Sequence, residues 1–277
     1  MVSDYWVHAK RGDVCGVSFT QCFDFNTAFK LLKQNMVQPK ELLDEISLDK
    51  IKKEKLDGIC YQAVRRRLGI HSVFHSTSFF IAKNFFLTSA HNVRKASWSG
   101  NVKKITISPS RIGNEFPRGS IIIDVDFFRN IRIAPQYSLK RKTYIPHDIA
   151  LIYVPDSIID ANASFYSIPY LPIIDDISSI NEGDLVYCAG YPASGKYKGQ
   201  YKMTLDTSRI SKINDNSFKH DLDTRTGNSG SPIMVKREGQ FYVIGINSIK
   251  HNGTLLNDEK RDLINKWMKE LKGQFNN

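Results

Sequence analysis

From about residue 60 onward the chain is written in short apolar runs separated by turn residues. Seven of them are "SFFIA" (78–82), "NFFLTSA" (84–90), "KITIS" (104–108), "SIIIDVDF" (120–127), "DIALIYV" (148–154), "DLVYCAG" (184–190) and "FYVIGINSI" (241–249). They are rich in β-branched and aromatic residues and bounded by Gly, Pro, Asn and Ser, which is the pattern of strands. Many short strands with no helical segments between them point to a β-sandwich or a pair of β-barrels. The spacing predicts one closing helix over 257–272. Leu263, Ile264, Trp267, Met268 and Leu271 form its apolar stripe, and Gly273 is placed as its C-terminal cap.

The first 58 residues read differently. "TAFKLLKQN" and "PKELLDEISLDKIKKEKL" set Leu42, Leu43 and Ile46 at helical spacing with Ile51 beyond them, Pro39 suits a first helical turn, and "DG" at 57–58 reads as a stop. The expected organisation is therefore a helical N-terminal extension over 1–58 and one β-rich domain over 59–277. Within that domain the expected parts are a first barrel at about 59–155, a second at about 165–250, and the helix at 257–272. The extension also carries Trp6, Phe19, Phe23 and Phe25. They can pack on a barrel or cover its edge, or they can form a regulatory lid or a docking element for a partner.

The formal net charge is +11, and residues 1–60 contribute none of it, with nine Lys/Arg against nine Asp/Glu. The basic clusters are short ("RRR" at 65–67, "KRK" at 140–142), and no basic helix face with interleaved aromatics is present. A solvated basic surface is the reading, and no nucleic-acid partner is expected. No apolar run reaches the roughly 20 residues of a membrane span. The N-terminus lacks the basic head and apolar stretch of a secretory signal, so a cytoplasmic protein is expected, or a secreted one from which a signal was removed. Cys15, Cys22, Cys60 and Cys188 match no zinc-binding spacing, and neither a metal nor a cofactor is expected; Cys188 reads as a small buried hydrophobe.

"TRTGNSGSPI" (224–233) sets Ser229 among glycines. Alone it reads as a turn, because Gly, Asn and Ser populate turns. Two other stretches change its meaning. "TSAHNV" (88–93) places His91 behind an apolar run, and "HDIAL" (147–151) places Asp148 ahead of another. Each is by itself an ordinary core histidine or a strand-start polar residue. Together they supply a base, an acid and a hydroxyl in the order His, Asp, Ser. That order excludes the α/β-hydrolase and subtilisin arrangements, and Ser231 breaks the Gly-x-Ser-x-Gly elbow.

With "GYP" (190–192), "DLDTRTGNSGSP" (221–232) and "VIGI" (243–246), these stretches resemble the trypsin-like serine proteases of chymotrypsin fold, nearest the bacterial branch of glutamyl endopeptidases and exfoliative toxins. The resemblance spans about residues 60–250. It implies an all-β protein of two six-stranded antiparallel barrels, flanked here by the helical extension and the C-terminal helix. It also implies a serine endopeptidase acting on a protein or peptide substrate. His91 would be the general base, Asp148 its orienting acid and Ser229 the nucleophile, with the backbone N–H groups of Gly227 and Ser229 as the oxyanion hole. Asn228 stands where trypsin has the aspartate that pairs with a newly cleaved amine, so activation through that ion pair is not expected. Asp223, Thr224 and Asn247 fall on the substrate pocket. The branch holds a substrate carboxylate with a threonine and the histidine of "GIH"; here Thr224 is kept and "GIN" replaces it. Asp223 aligns with the carboxylate that selects Lys or Arg in trypsin. A basic residue before the scissile bond is therefore favoured, unless Arg225 or His251 swings in to restore an acidic preference. The runner-up reading is a protease-fold binding protein with a dormant site and an anionic partner.

Overall fold

The structure, a computed structural model, describes residues 44–66, 73–94, 102–137 and 145–275. The helical reading of residues 25–43 and the aromatic residues Trp6, Phe19, Phe23 and Phe25 lie outside the described residues. The described chain starts with a two-residue strand, β1 (Asp44–Glu45), and a short helix, α1 (Leu48–Lys53). The helical periodicity across 40–57 is thus interrupted. Ser47 caps α1 by accepting from the Lys50 amide at 3.3 Å, and Ile46 donates its amide to the Met203 carbonyl at 3.1 Å. A cap inside the periodic run and a strand partner far along the chain override the local preference. Ile46 and Ile51 still point inward, at 5% and 0% exposure.

The first sheet contains β2 (Ile59–Arg66), β3 (Val73–Ala82), β4 (Phe85–Thr88), β5 (Val102–Pro109), β6 (Ile121–Asp124), β7 (Ile131–Ile133) and β8 (Ala150–Tyr153), in the order β6-β5-β2-β3-β4-β8-β7. All its pairings are antiparallel. β4 and β8 are buried at every position, which is why "FFLT" and "ALIY" read as unbroken runs rather than alternating ones. Two one-turn helices interrupt the sheet's connections: α2 (Ala90–Val93) after β4, and α3 (Phe127–Asn130) before β7. The strand expected through Phe127 therefore ends at Asp124.

A connecting stretch holding the short helix α4 (Asp156–Asp160) leads to the second sheet: β9 (Leu185–Gly190), β10 (Thr204–Asn214), β11 (Ser217–His220), β12 (Pro232–Arg237), β13 (Gln240–Asn247) and β14 (Asn252–Leu255). These six close on themselves in the order β9-β10-β11-β14-β13-β12, because β9 pairs with both β10 and β12. β1 is added outside the ring on β10, with Asp44 opposite Leu205. The expectation of two six-stranded barrels thus holds for the second sheet, while the first is an open order of seven strands among the described residues. The β12–β13 hairpin turns at Glu238 and Gly239, both at positive φ (50° and 81°), the twist that a two-residue turn between antiparallel strands demands. Closing the chain, α5 (Asp258–Phe275) buries Ile264, Trp267 and Leu271. It runs past Gly273, so that glycine is an interior residue and not the cap. At the other end Asn257 starts the helix, its Oδ1 accepting from the Lys260 amide at 3.2 Å. No described helix is long and apolar enough to cross a membrane.

Candidate active site

His91 lies on α2, directly after the fully buried β4, and Asp148 lies between a 3-10 turn (Ile145–His147) and β8. Since β4 and β8 are neighbours in the sheet, Thr88 is opposite Ala150, and His91 and Asp148 emerge side by side. Asp148 is fully buried and grips His91 twice. Its Oδ1 accepts from the His91 backbone amide at 2.9 Å, and its Oδ2 meets the imidazole Nδ1 at 2.7 Å. The Ser248 hydroxyl donates to the same Oδ2. A buried carboxylate needs such partners, and these three bonds fix its orientation. The imidazole side chain is 27% exposed.

Ser229 sits on the loop between β11 and β12. Its hydroxyl donates to the Ser248 carbonyl at 3.0 Å. Ser248 therefore touches both Asp148, through its side chain, and Ser229, through its backbone. The structure brings His91, Asp148 and Ser229 into one cluster with Ser248 between the last two. The Ser229 carbonyl is held from the first sheet, accepting from the Thr77 amide at 3.0 Å and from Asn92 Nδ2 at 2.9 Å.

The backbone amides of Gly227 and Ser229 lie on this loop. Gly227 has φ of +101°, and a Cβ there would sit 2.3 Å from the Tyr191 carbonyl oxygen, so only glycine fits. The Thr226 carbonyl accepts from the Ala193 amide at 2.6 Å, which turns the Gly227 N–H the opposite way across the trans peptide. Neither the Gly227 nor the Ser229 amide donates to any acceptor among the described residues.

Asp223, Thr224 and Asn247, the residues expected on the substrate pocket, each have a partner within the chain. Asp223 is paired with Arg225 at 2.9 Å, with side chains 27% and 40% exposed. The Thr224 hydroxyl donates to the Lys250 carbonyl at 2.5 Å. Asn247 is 2% exposed, and its Nδ2 donates to the Asn228 carbonyl at 3.0 Å. Thr77, Asn92, Ser248 and Ala193 carry no mark in the sequence that sets them apart. Their partners lie 19 to 150 positions away, apart from local bonds such as Asn92 to Thr88. Burial pushes the Cys188 thiol up to about 12, which keeps it a neutral packing group. Among the described residues no group of three or more His, Cys, Asp or Glu is arranged to hold a metal ion.

The family described as trypsin-like peptidase domain matches residues 76–246. The chain belongs to that family, and its enzyme class is serine endopeptidase. Among solved structures, a Glu endopeptidase in complex with MPD superposes with a TM-score of 0.63 at 17% identity, covering 80% of this chain and 94% of its own. A thermostable serine protease from an extremophilic microorganism (TM-score 0.54, 12% identity, 72% of this chain and 90% of that one) shares the fold. So does the protease Anisep from Arthrobacter nicotinovorans (0.52, 12%, 72% and 89%). No curated protein matches the sequence. The likeness to these structures shows the chymotrypsin fold.

Proposed function

We propose that the chain hydrolyses peptide bonds through His91, Asp148 and Ser229, with the Gly227 and Ser229 amides as the oxyanion hole. The observation that carries this is the cluster itself: a histidine clamped twice by a buried carboxylate, a serine joined to that carboxylate through Ser248, and two loop amides with no described acceptor. In the attack step Ser229 Oγ turns from the Ser248 carbonyl toward His91. It forms a bond to the scissile carbonyl carbon as its proton passes to the imidazole. Negative charge builds on the carbonyl oxygen between the two amides. Asp148 stabilises the imidazolium through Nδ1. His91 then gives the proton to the leaving nitrogen, the C–N bond breaks, and an acyl-serine remains. Water repeats the sequence with His91 as base and frees the acid.

For the residue before the scissile bond the charge argument favours Lys or Arg over Glu. The Thr224 hydroxyl has one proton, given to Lys250, and the Asn247 amide is turned to Asn228, so neither is aimed at a substrate carboxylate. The Asp223–Arg225 pair is partly exposed, and such pairs are worth about 0–1 kcal/mol, so a substrate cation can displace Arg225 at small cost. Regulation by the N-terminal segment is tested by removing residues 1–43, which leaves β1 and α1 in place; raised turnover supports a restraint.

The deciding experiment is digestion of a peptide library by wild type, Ser229→Ala and His91→Ala. Cleavage by wild type alone, after basic residues, is expected. Equal cleavage by Ser229→Ala rejects the nucleophile, and cleavage confined to Glu and Asp rejects the pocket argument.

A further inference from the structure

Asn247 aligns with a substrate-binding histidine, yet its surroundings give it other work. It ends β13 beneath the nucleophile loop, 2% exposed. Its backbone is committed three times. Its amide donates to the Ser231 carbonyl at 2.9 Å, and its carbonyl accepts from the Gly230 amide at 2.8 Å and the Ser89 hydroxyl at 2.9 Å. Its side-chain nitrogen reaches the Asn228 carbonyl at 3.0 Å. Only the nitrogen can face that carbonyl, because two oxygens would repel, so the amide orientation is fixed by chemistry.

The Asn228 carbonyl belongs to the same peptide plane as the Ser229 N–H. In a trans peptide these two groups point in opposite directions. Whatever holds the carbonyl down aims the N–H up. Two donors hold it: the Ser231 amide at 3.0 Å, which closes a tight turn, and Asn247 Nδ2 from the neighbouring strand. The turn alone is local to the loop and moves with it. Asn247 anchors the peptide to the barrel. Thr226 and Ala193 do the equivalent for the Gly227 N–H.

We infer that Asn247 is a positioning residue of the oxyanion hole, aiming the Ser229 amide by holding the Asn228 carbonyl, and not a residue that contacts the substrate side chain. The inference rests on the serine-protease reading above. It separates two roles that differ in kinetics. A pocket residue acts in the ground state and the transition state alike, and its loss raises KM. A residue that aims the hole acts where charge develops, and its loss lowers kcat.

The test compares wild type, Ser229→Ala, Asn247→Leu and Asn247→Asp on a cleavable peptide and a peptidyl boronate, whose tetrahedral adduct places an oxygen in the hole. In Asn247→Leu the donor is gone, and kcat falls about ten- to a hundredfold, at or below the loss from deleting a hole donor outright. KM stays within about twofold, and boronate affinity weakens in parallel with kcat. In Asn247→Asp only the neutral acid can donate, so the kcat deficit relative to wild type widens as pH rises. A raised KM with kcat kept would assign Asn247 to the substrate pocket and overturn the inference, as would unchanged parameters. If Asn247→Leu does not fold, Asn247→Asp decides: a deficit that does not vary with pH overturns it. Wild type that hydrolyses nothing more than Ser229→Ala removes the parent reading instead, and is seen before any Asn247 variant is compared.

Discussion

Thr77 offers the sharpest coupling of stability to activity. It sits on β3, fully buried, and reaches from the first sheet into the loop of the second that carries Ser229. Its hydroxyl donates to the Gly227 carbonyl at 2.9 Å and accepts from the Tyr191 amide at 3.0 Å. Thr77→Val keeps the shape and removes both bonds. The Tyr191 amide, on a residue 1% exposed, is then buried without an acceptor, which costs about 1–3 kcal/mol, and the Gly227 carbonyl loses its donor for about 1 kcal/mol more. The expected loss is about 2–4 kcal/mol in all. Thr77→Ser keeps the hydroxyl and removes one methyl, for about 1 kcal/mol. Urea unfolding with a common slope measures the difference, and kcat measured on the folded fraction reports the loop. Valine should lower kcat about tenfold, because the freed Gly227–Asn228 peptide lies between the two peptides that carry the proposed oxyanion donors, while serine restores it. A Thr77→Val protein within about 0.5 kcal/mol of wild type and equally active would refute the reasoning.

Gly227→Ala forces a side chain into positive φ and against the Tyr191 carbonyl; hydrolysis should be lost by at least about a hundredfold, and unchanged kcat would mean the loop is not the oxyanion site. Lys260 is 2% exposed, bonded to Asn216, and burial lowers its pKa to about 8. A cation whose folded pKa is depressed makes the unfolded state bind more protons between about pH 8 and its ordinary value, so stability should climb with pH through that window. Lys260→Met should flatten this climb and raise stability at neutral pH by about 1–3 kcal/mol in denaturant titrations at several pH values; an unchanged slope would contradict it.

What the sequence discloses and what it hides follow from range. "FFLT" and "ALIY" do not alternate apolar with exposed polar residues because both faces are buried, so strands β4 and β8 are visible from composition alone. His91 and Asp148 are visible because each borders one of those strands, and Ser229 because glycines flank it. The partners that align them are not visible. Ser248 meets Asp148 across 100 positions, and Thr77 meets Gly227 across 150, through single hydroxyls that leave no periodic or compositional trace. β1 is hidden for the same reason: among the described residues its only pairing is with β10, and the helical spacing of Leu42, Leu43 and Ile46 dominates locally. Gly273 shows the opposite error, a cap residue that the helix tolerates, with nothing within 4 Å of where its Cβ would be. Asn247 is found by alignment, but its orientation toward Asn228 exists only in three dimensions.

The central claim is that Ser229 is a nucleophile activated by His91. A fluorophosphonate forms a stable phosphonyl ester with an activated serine, displacing fluoride. Mapping the adduct by mass spectrometry on the folded full-length protein therefore tests the claim directly. The account predicts one adduct, on Ser229, strongly diminished in His91→Ala and absent in Ser229→Ala. A folded wild-type protein that takes no adduct, or takes it on another residue at an undiminished rate in His91→Ala, would contradict it.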